Sequence, residues 1–179
     1  MSMNHNAFVF DHATFERELS PILLRALESQ TVTGLVTWIE AERESLVDPY
    51  EGEPLLEDWE KAFVKRDVQE FGDIALTKYY DPTDSVGLDD TWQDVGATLA
   101  AAGLGEALIL GTRFGTAEHW FDPGVMGSYF QSAATVVANL EAIERLLEQP
   151  LAAGRDGVEA ARRMLLSASA ARSGLYVTF

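Results

Sequence analysis

Residues 132–179 read SAATVVANLEAIERLLEQPLAAGRDGVEAARRMLLSASAARSGLYVTF, and this stretch decides the fold. Apolar residues recur at helical spacing in its first part and again in its second, so we predict helices over residues 132–148 and 156–172. The last five residues are apolar and β-prone, which predicts a strand over residues 175–179. Residues 8–10, FVF, are a similar short segment near the other end of the chain. We expect these two terminal segments to pair in a small sheet.

Helical spacing of apolar residues extends over much of the remaining chain. Pro21 would interrupt a single helix over residues 15–27, so we predict a break there, with Ser20 as the N-cap of a new helix. Another helix is predicted to begin at Pro54, with Trp59 on its inward face. The other predicted helices cover residues 32–46, 68–79 and 92–102, the last of them capped by Asp90 or Thr91.

Three segments have no clear helical pattern. Residues 81–90 are rich in turn-forming residues and predict an exposed loop, and residues 111–129 predict a long ordered loop. Residues 107–110 are too few to distinguish a buried strand from a helical turn, and we favour a strand. Together the segments predict one globular domain over residues 1–179. Its expected fold is α+β and predominantly α-helical, with about seven helices and a small sheet, and an all-α fold is the alternative.

Composition places the chain among ordinary globular proteins. Of its 179 residues, 47% are hydrophobic and 23% charged, and the aromatic content of 10% exceeds that of a disordered acidic tail. The chain has no cysteine, which excludes disulfides, thiolate metal sites and cysteine nucleophiles. Its N-terminal residues lack the basic and apolar regions of a secretory signal, and no apolar run approaches the roughly 20 residues that span a bilayer. We therefore expect a cytoplasmic protein without a membrane segment.

Negative charge is concentrated in the middle of the sequence. The formal net charge is −16, and residues 40–90 contain sixteen acidic and five basic side chains. A field concentrated in one region can steer and orient a basic protein partner, whereas it opposes binding to nucleic-acid phosphates. Ten of the thirteen basic residues are arginine, and alanine is abundant. A compositional bias shared by a whole proteome is therefore an alternative cause of the acidity, and mimicry of DNA also stays open.

Aromatic residues accompany the acidic ones and indicate where a partner would bind. Protein interfaces favour aromatic anchors ringed by polar groups, and an exposed ring beside carboxylates suits an arginine or lysine. Trp59 and Trp92 occupy inward helical positions and are expected in the core, whereas Tyr50 and Tyr80 are expected on surface loops. The predicted partner-binding residues are Tyr50, Glu51, Glu53, Glu57, Asp58, Tyr80, Asp81, Asp84 and Asp89.

The aspartates of residues 81–90 are of a type that binds hard cations. Their spacing does not match a calcium-binding loop: counted from Asp81, the sixth position is Val86, where such a loop requires glycine. We favour solvated turn residues, and a cation held loosely by Asp84, Asp89 and Asp90 is the alternative. The glycines match no nucleotide-binding spacing, so we predict neither a metal nor a cofactor.

Three histidines are available for acid–base chemistry. His5 is expected in a frayed terminus, and His12 is expected at a helix start, where the helix dipole disfavours its charged form. His119 lies among acidic residues in an aromatic, glycine-rich loop, so a general acid or base is chemically possible there. The weak catalytic candidates are Arg113, Glu118, His119 and Asp122. All four lie in one short segment, which favours a structural role for this histidine.

These patterns favour a binding protein over an enzyme. We predict a non-catalytic acidic domain that neutralises or escorts a basic protein partner, of the immunity protein, antitoxin, inhibitor or secretion chaperone type. The alternative is a small-ligand-binding protein or an enzyme with a site around His119. The sequence predicts no oligomeric state.

Overall fold

A three-stranded antiparallel sheet joins the two ends of the chain in the computed structural model, which describes residues 3–151 and 153–179. Its strands are β1 (Asn6–Phe10), β2 (Ser128–Gln131) and β3 (Gly174–Thr178), in the order β1-β3-β2. Tyr176 of β3 lies opposite both Phe8 of β1 and Phe130 of β2. The predicted pairing of the terminal segments is confirmed. Strand β2 overlaps the end of the segment predicted to be a loop, and its pairing was missed.

The pleat of the sheet sends alternate side chains into two hydrophobic cores. Phe8, Phe130 and Tyr176 belong to the first core, whereas Leu175 and Val177 belong to the second. Successive side chains of a strand point to opposite faces, so each core lies on one face of the sheet. Helices cover both faces, and this explains why the strands are apolar on both sides.

Eight α-helices occur in the described residues. The first core contains α1 (His12–Glu18), α2 (Ser20–Ser29), α3 (Thr33–Glu42) and α4 (Val68–Leu76). The second contains α5 (Trp92–Ala101), α6 (Ala107–Leu110), α7 (Ala133–Leu147) and α8 (Arg155–Ala170). Short 3₁₀ turns occupy Arg43–Ser45, Trp59–Ala62 and Thr77–Tyr79. The fold is therefore α+β and mostly helical, as the sequence predicts. Among the described residues, no helix combines the length and apolarity needed to cross a membrane.

The long C-terminal helices follow directly from the sequence pattern. The Ser132 hydroxyl accepts a hydrogen bond from the Thr135 N–H at 3.1 Å and caps α7. The helix then buries Val136 and Ile143 against the second core, and α8 buries Leu165 there. Each such side chain contributes about 1.5–3 kcal/mol when fully buried. The two helices pack against each other, as expected for amphipathic neighbours joined by a short connection.

The break at Pro21 is confirmed, but its cap differs from the prediction. Ser20 is already helical, and Leu19 is the N-cap, without a side-chain hydrogen bond. Leu19 is fully buried, so packing into the first core fixes its position. Pro21 occupies the first turn of α2, where its missing N–H leaves no donor unsatisfied.

The helix predicted to begin at Pro54 is wrong. Val47 and Pro54 instead form an isolated β-bridge, and the Asp48 N–H donates to the Glu53 carbonyl at 2.8 Å. This pairing holds the chain in an extended turn up to residue 55, and only one 3₁₀ turn follows. Trp59 nevertheless lies inward, at 3% exposure, because its burial does not require a long helix.

The strand favoured for residues 107–110 is also wrong. These residues form α6, a single helical turn closed by the Gly111 N–H donating to the Ala107 carbonyl at 2.9 Å. Gly111 has a φ of 98°, which ends the turn and lets Thr112 pair with Phe130. An apolar run of four residues fits either conformation, and tertiary pairing decides between them.

The segment before β1 is ordered, so the frayed terminus expected at His5 is wrong. His5 is fully buried; its Nε2–H donates to the Ile109 carbonyl at 3.2 Å, and its Nδ1 accepts from the Leu88 N–H at 3.3 Å. Burial lowers the pKa of His5, which keeps the ring neutral in this arrangement. Burial likewise lowers the pKa of His12 at the start of α1.

The second half of the loop at residues 81–90 docks on β1. The Val86 N–H donates to the Ala7 carbonyl at 2.7 Å, and Asp89 forms a β-bridge with His5. Gly87 makes this approach possible, because a Cβ atom there would collide with the His5 carbonyl. The loop is therefore exposed at its acidic tip and anchored at its far end.

Candidate functional site

The turn after α3 presents acidic side chains in a fixed arrangement. The Asp48 carboxylate accepts hydrogen bonds from the Tyr50 and Glu51 N–H groups, both at 2.8 Å. Gly52 takes a left-handed φ of 71° and completes the turn. Asp48 is thus used internally to hold the backbone, whereas Glu51 and Glu53 extend into solvent.

A groove of about 430 Å³ lies beside this turn, and we call it the acidic groove. Its lining residues are Asp48, Glu51, Glu53, Pro54, Leu55, Leu56, Asp58, Trp59, Lys61 and Phe63. Leu56 is 72% exposed, although leucine is usually buried. The Trp59 indole N–H donates to a Glu40 carboxylate oxygen at 2.7 Å and attaches the groove to α3. Apolar surface bordered by charge is typical of a protein interface.

Two basic side chains of the acidic region, Lys78 and Arg66, are engaged with carboxylates other than those at the turn. Lys78 lies 2.9 Å from both Glu18 and Glu42, and its ammonium group is 5.3 Å from the centre of the Trp38 ring. Hydrogen bonds from Lys78 lower the pKa of Glu18. Arg66 pairs with Glu60. These basic groups therefore do not offset the charge at the turn.

The carboxylates around the acidic groove differ in how far they are neutralised. Lys61 lies 3.3 Å from Asp58, so this predicted binding residue is already in an exposed ion pair. Within the described part of the chain, Glu51, Glu53 and Glu57 make no ion pair, and their side chains accept no hydrogen bond. Glu51 and Glu53 line the groove, and Glu57 lies between the lining residues Leu56 and Asp58 in the sequence. These three glutamates therefore contribute negative charge at the groove that no ion pair of the described residues neutralises.

A second acidic loop lies next to the first. The Asp81 carboxylate accepts from the Thr83 N–H at 2.8 Å and its hydroxyl at 2.7 Å, and these bonds lower the pKa of Asp81. Gly52 packs so closely on Thr83 that a Cβ atom would stand 2.6 Å from the Thr83 methyl group. Asp84 is exposed at the tip of this loop. The structure thus brings the two loops together, while Asp89 lies at the anchored end near His5.

The two tyrosines predicted as anchors have different surroundings. Tyr50 is 76% exposed at the edge of the acidic turn. Tyr80 is half-buried, and its ring centre lies 4.8 Å from that of Phe8 and 5.2 Å from that of Tyr176. Burial raises the pKa of Tyr80 well above its ordinary value. The surface position expected for Tyr80 is therefore wrong, because its ring completes the first core.

Asp73 lies in a second cavity, and the sequence-based predictions missed it. The cavity has a volume of about 270 Å³ and lies among the loops around residues 49–50, 80–85 and 123–124. Asp73 lines it, is only 8% exposed, and has a pKa raised by burial to about 7, with a smaller contribution from Asp48. A signal was present in the sequence, since this aspartate interrupts the apolar run of residues 71–76, FGDIAL.

The residues around His119 do not converge on a reaction centre. The Thr116 N–H donates to the His119 carbonyl at 2.8 Å, and the His119 N–H donates to the Thr116 hydroxyl at 3.0 Å, which closes a tight turn. The Arg113 guanidinium lies 5.2 Å from the centre of the Trp120 ring. The Asp122 carboxylate accepts from the Gly127 N–H at 3.0 Å. Within the described residues, no hydrogen bond or ion pair joins any two of the predicted catalytic side chains Arg113, Glu118, His119 and Asp122.

Clustered metal ligands are not found in the residues that the structure describes. Among them, no group of three or more histidine, aspartate or glutamate side chains is arranged to hold a metal ion. The side chain of Asp81 is used in its own turn, and Asp84, Asp89 and Asp90 are exposed.

Comparison with known proteins adds no relative. No protein-family model matches this sequence, and no curated protein or solved structure matches it either.

Proposed function

We propose that this protein is a non-catalytic, cytoplasmic binding domain whose acidic surface captures a basic protein partner and neutralises or escorts it. An immunity protein, antitoxin, inhibitor or secretion chaperone works in this way. The observation that carries the proposal is the group Glu51, Glu53 and Glu57, whose carboxylates have no ion-pair partner among the described residues and stand beside the apolar acidic groove. Unpaired charge next to exposed apolar surface does little for the fold and suits a partner of opposite charge.

Binding would occur in two steps. Long-range attraction raises the rate of encounter with a basic partner and orients it, an effect that salt weakens because the screening length is about 8 Å at physiological ionic strength. Apolar contacts then hold the complex, with Leu56 and Tyr50 as the exposed anchors. A well-packed anchor of this kind contributes about 2 kcal/mol or more to binding. The partner's basic working surface is covered as a result.

The distribution of charge supports this function over a bias of the whole proteome. Such a bias would acidify the entire surface of the molecule. Residues 131–179 instead contain five acidic and five basic side chains and are neutral overall. The acidity is concentrated in residues 40–90, which also form the groove and carry −11 of the formal net charge of −16.

The decisive experiment isolates the partner and then changes the charge at the groove. Affinity capture from native cells supplies the partner, and its affinity is measured for wild type and for the triple variant Glu51→Lys, Glu53→Lys, Glu57→Lys. We expect the dissociation constant to rise by about 100-fold or more, mainly through a slower association rate, and wild-type binding to weaken with added salt.

The matched control is the triple variant Glu28→Lys, Glu141→Lys, Glu148→Lys. These glutamates are also exposed, but they lie on α2 and at α7, away from the acidic groove in the sequence. Both variants change three glutamates to lysine, so the change in net charge is the same. Binding should weaken only slightly in this control. Equal losses for both triple variants, or no loss for the first, would overturn the proposal.

A further inference from the structure

The cavity beside Asp73 has the features of a built site. Its volume of about 270 Å³ exceeds that of a small organic group, and its lining comes from β1, α4, the end of β3 and three loops. The lining includes Phe8, Tyr50, Asp73, Tyr80 and Phe179. Elements distant in sequence thus converge around a single carboxyl group.

Asp73 lacks a counter-charge or donor among the described residues. Although it is only 8% exposed, none of their side chains or N–H groups donates a hydrogen bond to its carboxyl group. In that part of the chain, every side-chain oxygen or nitrogen that is completely buried has a hydrogen-bond partner. Because the Asp73 oxygens have none, they are not completely buried, and they face the cavity that Asp73 lines. A buried carboxylate without a partner is costly.

The groups around Asp73 increase its need for a cation. The titratable groups whose charges couple to it are Asp48, Tyr50, Tyr80 and Tyr176. All of these are neutral or negative, and no described lysine, arginine or histidine lines the cavity. The missing partner is therefore positively charged, whether a proton or a bound cation.

The aromatic lining favours an organic cation. Ammonium and guanidinium groups are attracted to aromatic rings within about 6 Å, and they also donate hydrogen bonds to carboxylates. We propose that this cavity binds the ammonium or guanidinium group of an organic cation, with the Asp73 carboxylate as its counter-ion.

Such a group can come from a lysine or arginine side chain of the basic partner or from a free small amine. Tyr50 lies at the cavity and directly precedes Glu51 of the acidic groove, so a partner bound there can reach it. The first source, a side chain of the basic partner, rests on the proposed function, whereas the free small amine does not.

The test is a titration followed by amide NMR shifts, with methylguanidinium and n-butylammonium as probes and neutral N-methylurea as the matched control compound. At about pH 8 both cations should shift the amide signals of Asp73 and Tyr80 saturably, whereas N-methylurea should not. Because the bound form requires an ionised Asp73, the apparent dissociation constant should rise about tenfold per pH unit below about 7. Shifts of equal size with N-methylurea, or no saturable shift with either cation, would overturn the inference.

Variants separate the carboxylate from the cavity. Asp73→Asn should weaken binding of both cations by about tenfold or more, and Ser85→Phe should do the same by filling the cavity while leaving the carboxylate intact. Asp84→Asn, an exposed neighbour, should bind them as wild type does. If Asp73→Asn and Ser85→Phe both bind the cations like wild type, the site lies elsewhere.

The partner's own affinity then identifies the source of the cation. A loss of partner binding in Asp73→Asn assigns the cavity to a partner side chain, and unchanged partner binding with lost cation binding assigns it to a free small amine. Failure of the cation titration leaves the dependence of partner binding on Glu51, Glu53 and Glu57 untouched, so the two proposals fail separately.

Discussion

At the scale of single residues, Asp73 is a carboxyl group whose ionisation the fold opposes. Burial raises its pKa from 3.8 to about 7, so between these values the native state keeps a proton that the unfolded chain has released. The stability of the protein should therefore fall as the pH rises through this range, and the loss is complete above about 7. At 1.36 kcal/mol per pKa unit, the upper bound of this destabilisation is about 4 kcal/mol.

Replacement of Asp73 by asparagine should remove this penalty. We expect Asp73→Asn to be more stable than wild type by about 2–4 kcal/mol at about pH 8, and by less at about pH 5, where wild type is protonated. Urea unfolding at both pH values measures the difference. Asp84→Asn, at an exposed position, should give no such pH dependence. A gain for Asp73→Asn that is equal at both pH values would contradict this assignment.

His5 shows the opposite treatment of a buried polar group. Both of its ring nitrogens have backbone partners, at Ile109 and Leu88, so the neutral ring is satisfied without a ligand. Asp73 is nearly as buried and has no such partner among the described residues. The contrast is the reason for interpreting His5 as a structural residue and Asp73 as part of a site.

At the scale of elements, the docking of the loop at residues 81–90 on β1 depends on Gly87. A Cβ atom there would collide with the His5 carbonyl and crowd the Ala7 nitrogen, both of which are backbone atoms that cannot move independently. We expect Gly87→Ala to lower the free energy of unfolding by about 2–4 kcal/mol. Gly105→Ala is the control, because its nearest neighbour would be 4.0 Å away. That variant should be neutral or slightly stabilising. Chemical denaturation compares the two, and equal effects would contradict this account of the loop.

The elements whose bounds the sequence predicted most accurately are two helices with a long periodic pattern. Helices α7 and α8 have fifteen and sixteen residues, and their predicted bounds differ from the observed ones by one or two residues at each end. The helix at Pro54 failed because residues 46–55 pair with each other across a turn, and the strand at residues 107–110 failed because these residues bond within a helical turn. Such pairings are not encoded in the spacing of apolar residues.

Of the two candidate sites, one could be predicted from the sequence and the other could not. The glutamates of the acidic groove were predictable, since exposed charge is visible in the composition of a loop. The Asp73 cavity was not, because it requires residues 49–50, 80–85, 123–124 and 178–179 to meet. Tyr80 was placed wrongly for a related reason: its neighbours in space, Phe8 and Tyr176, are far away in sequence.

At the scale of the whole molecule, the sheet separates two halves with different charge. The first core is built largely from residues 1–90, the acidic half of the chain. The second core includes residues from the neutral segment 131–179. Lys78 pairs with Glu18 and Glu42, Arg66 pairs with Glu60, and Lys61 pairs with Asp58. The charge that remains at the acidic groove repels itself and therefore opposes the compact state.

This imbalance predicts that the groove carboxylates do not serve stability. Glu51, Glu53 and Glu57 make no ion pair in the described part of the chain, so changing all three to glutamine should leave the protein as stable as wild type or slightly more stable, by about 0.5 kcal/mol. The gain should appear at low salt and shrink at high salt, where repulsion is screened. Thermal unfolding at the two salt concentrations measures it, with Glu28, Glu141 and Glu148 changed to glutamine as the control of equal charge. A marked loss of stability at the groove would mean that these side chains hold the fold together, and the surplus of negative charge there would then need no partner to explain it.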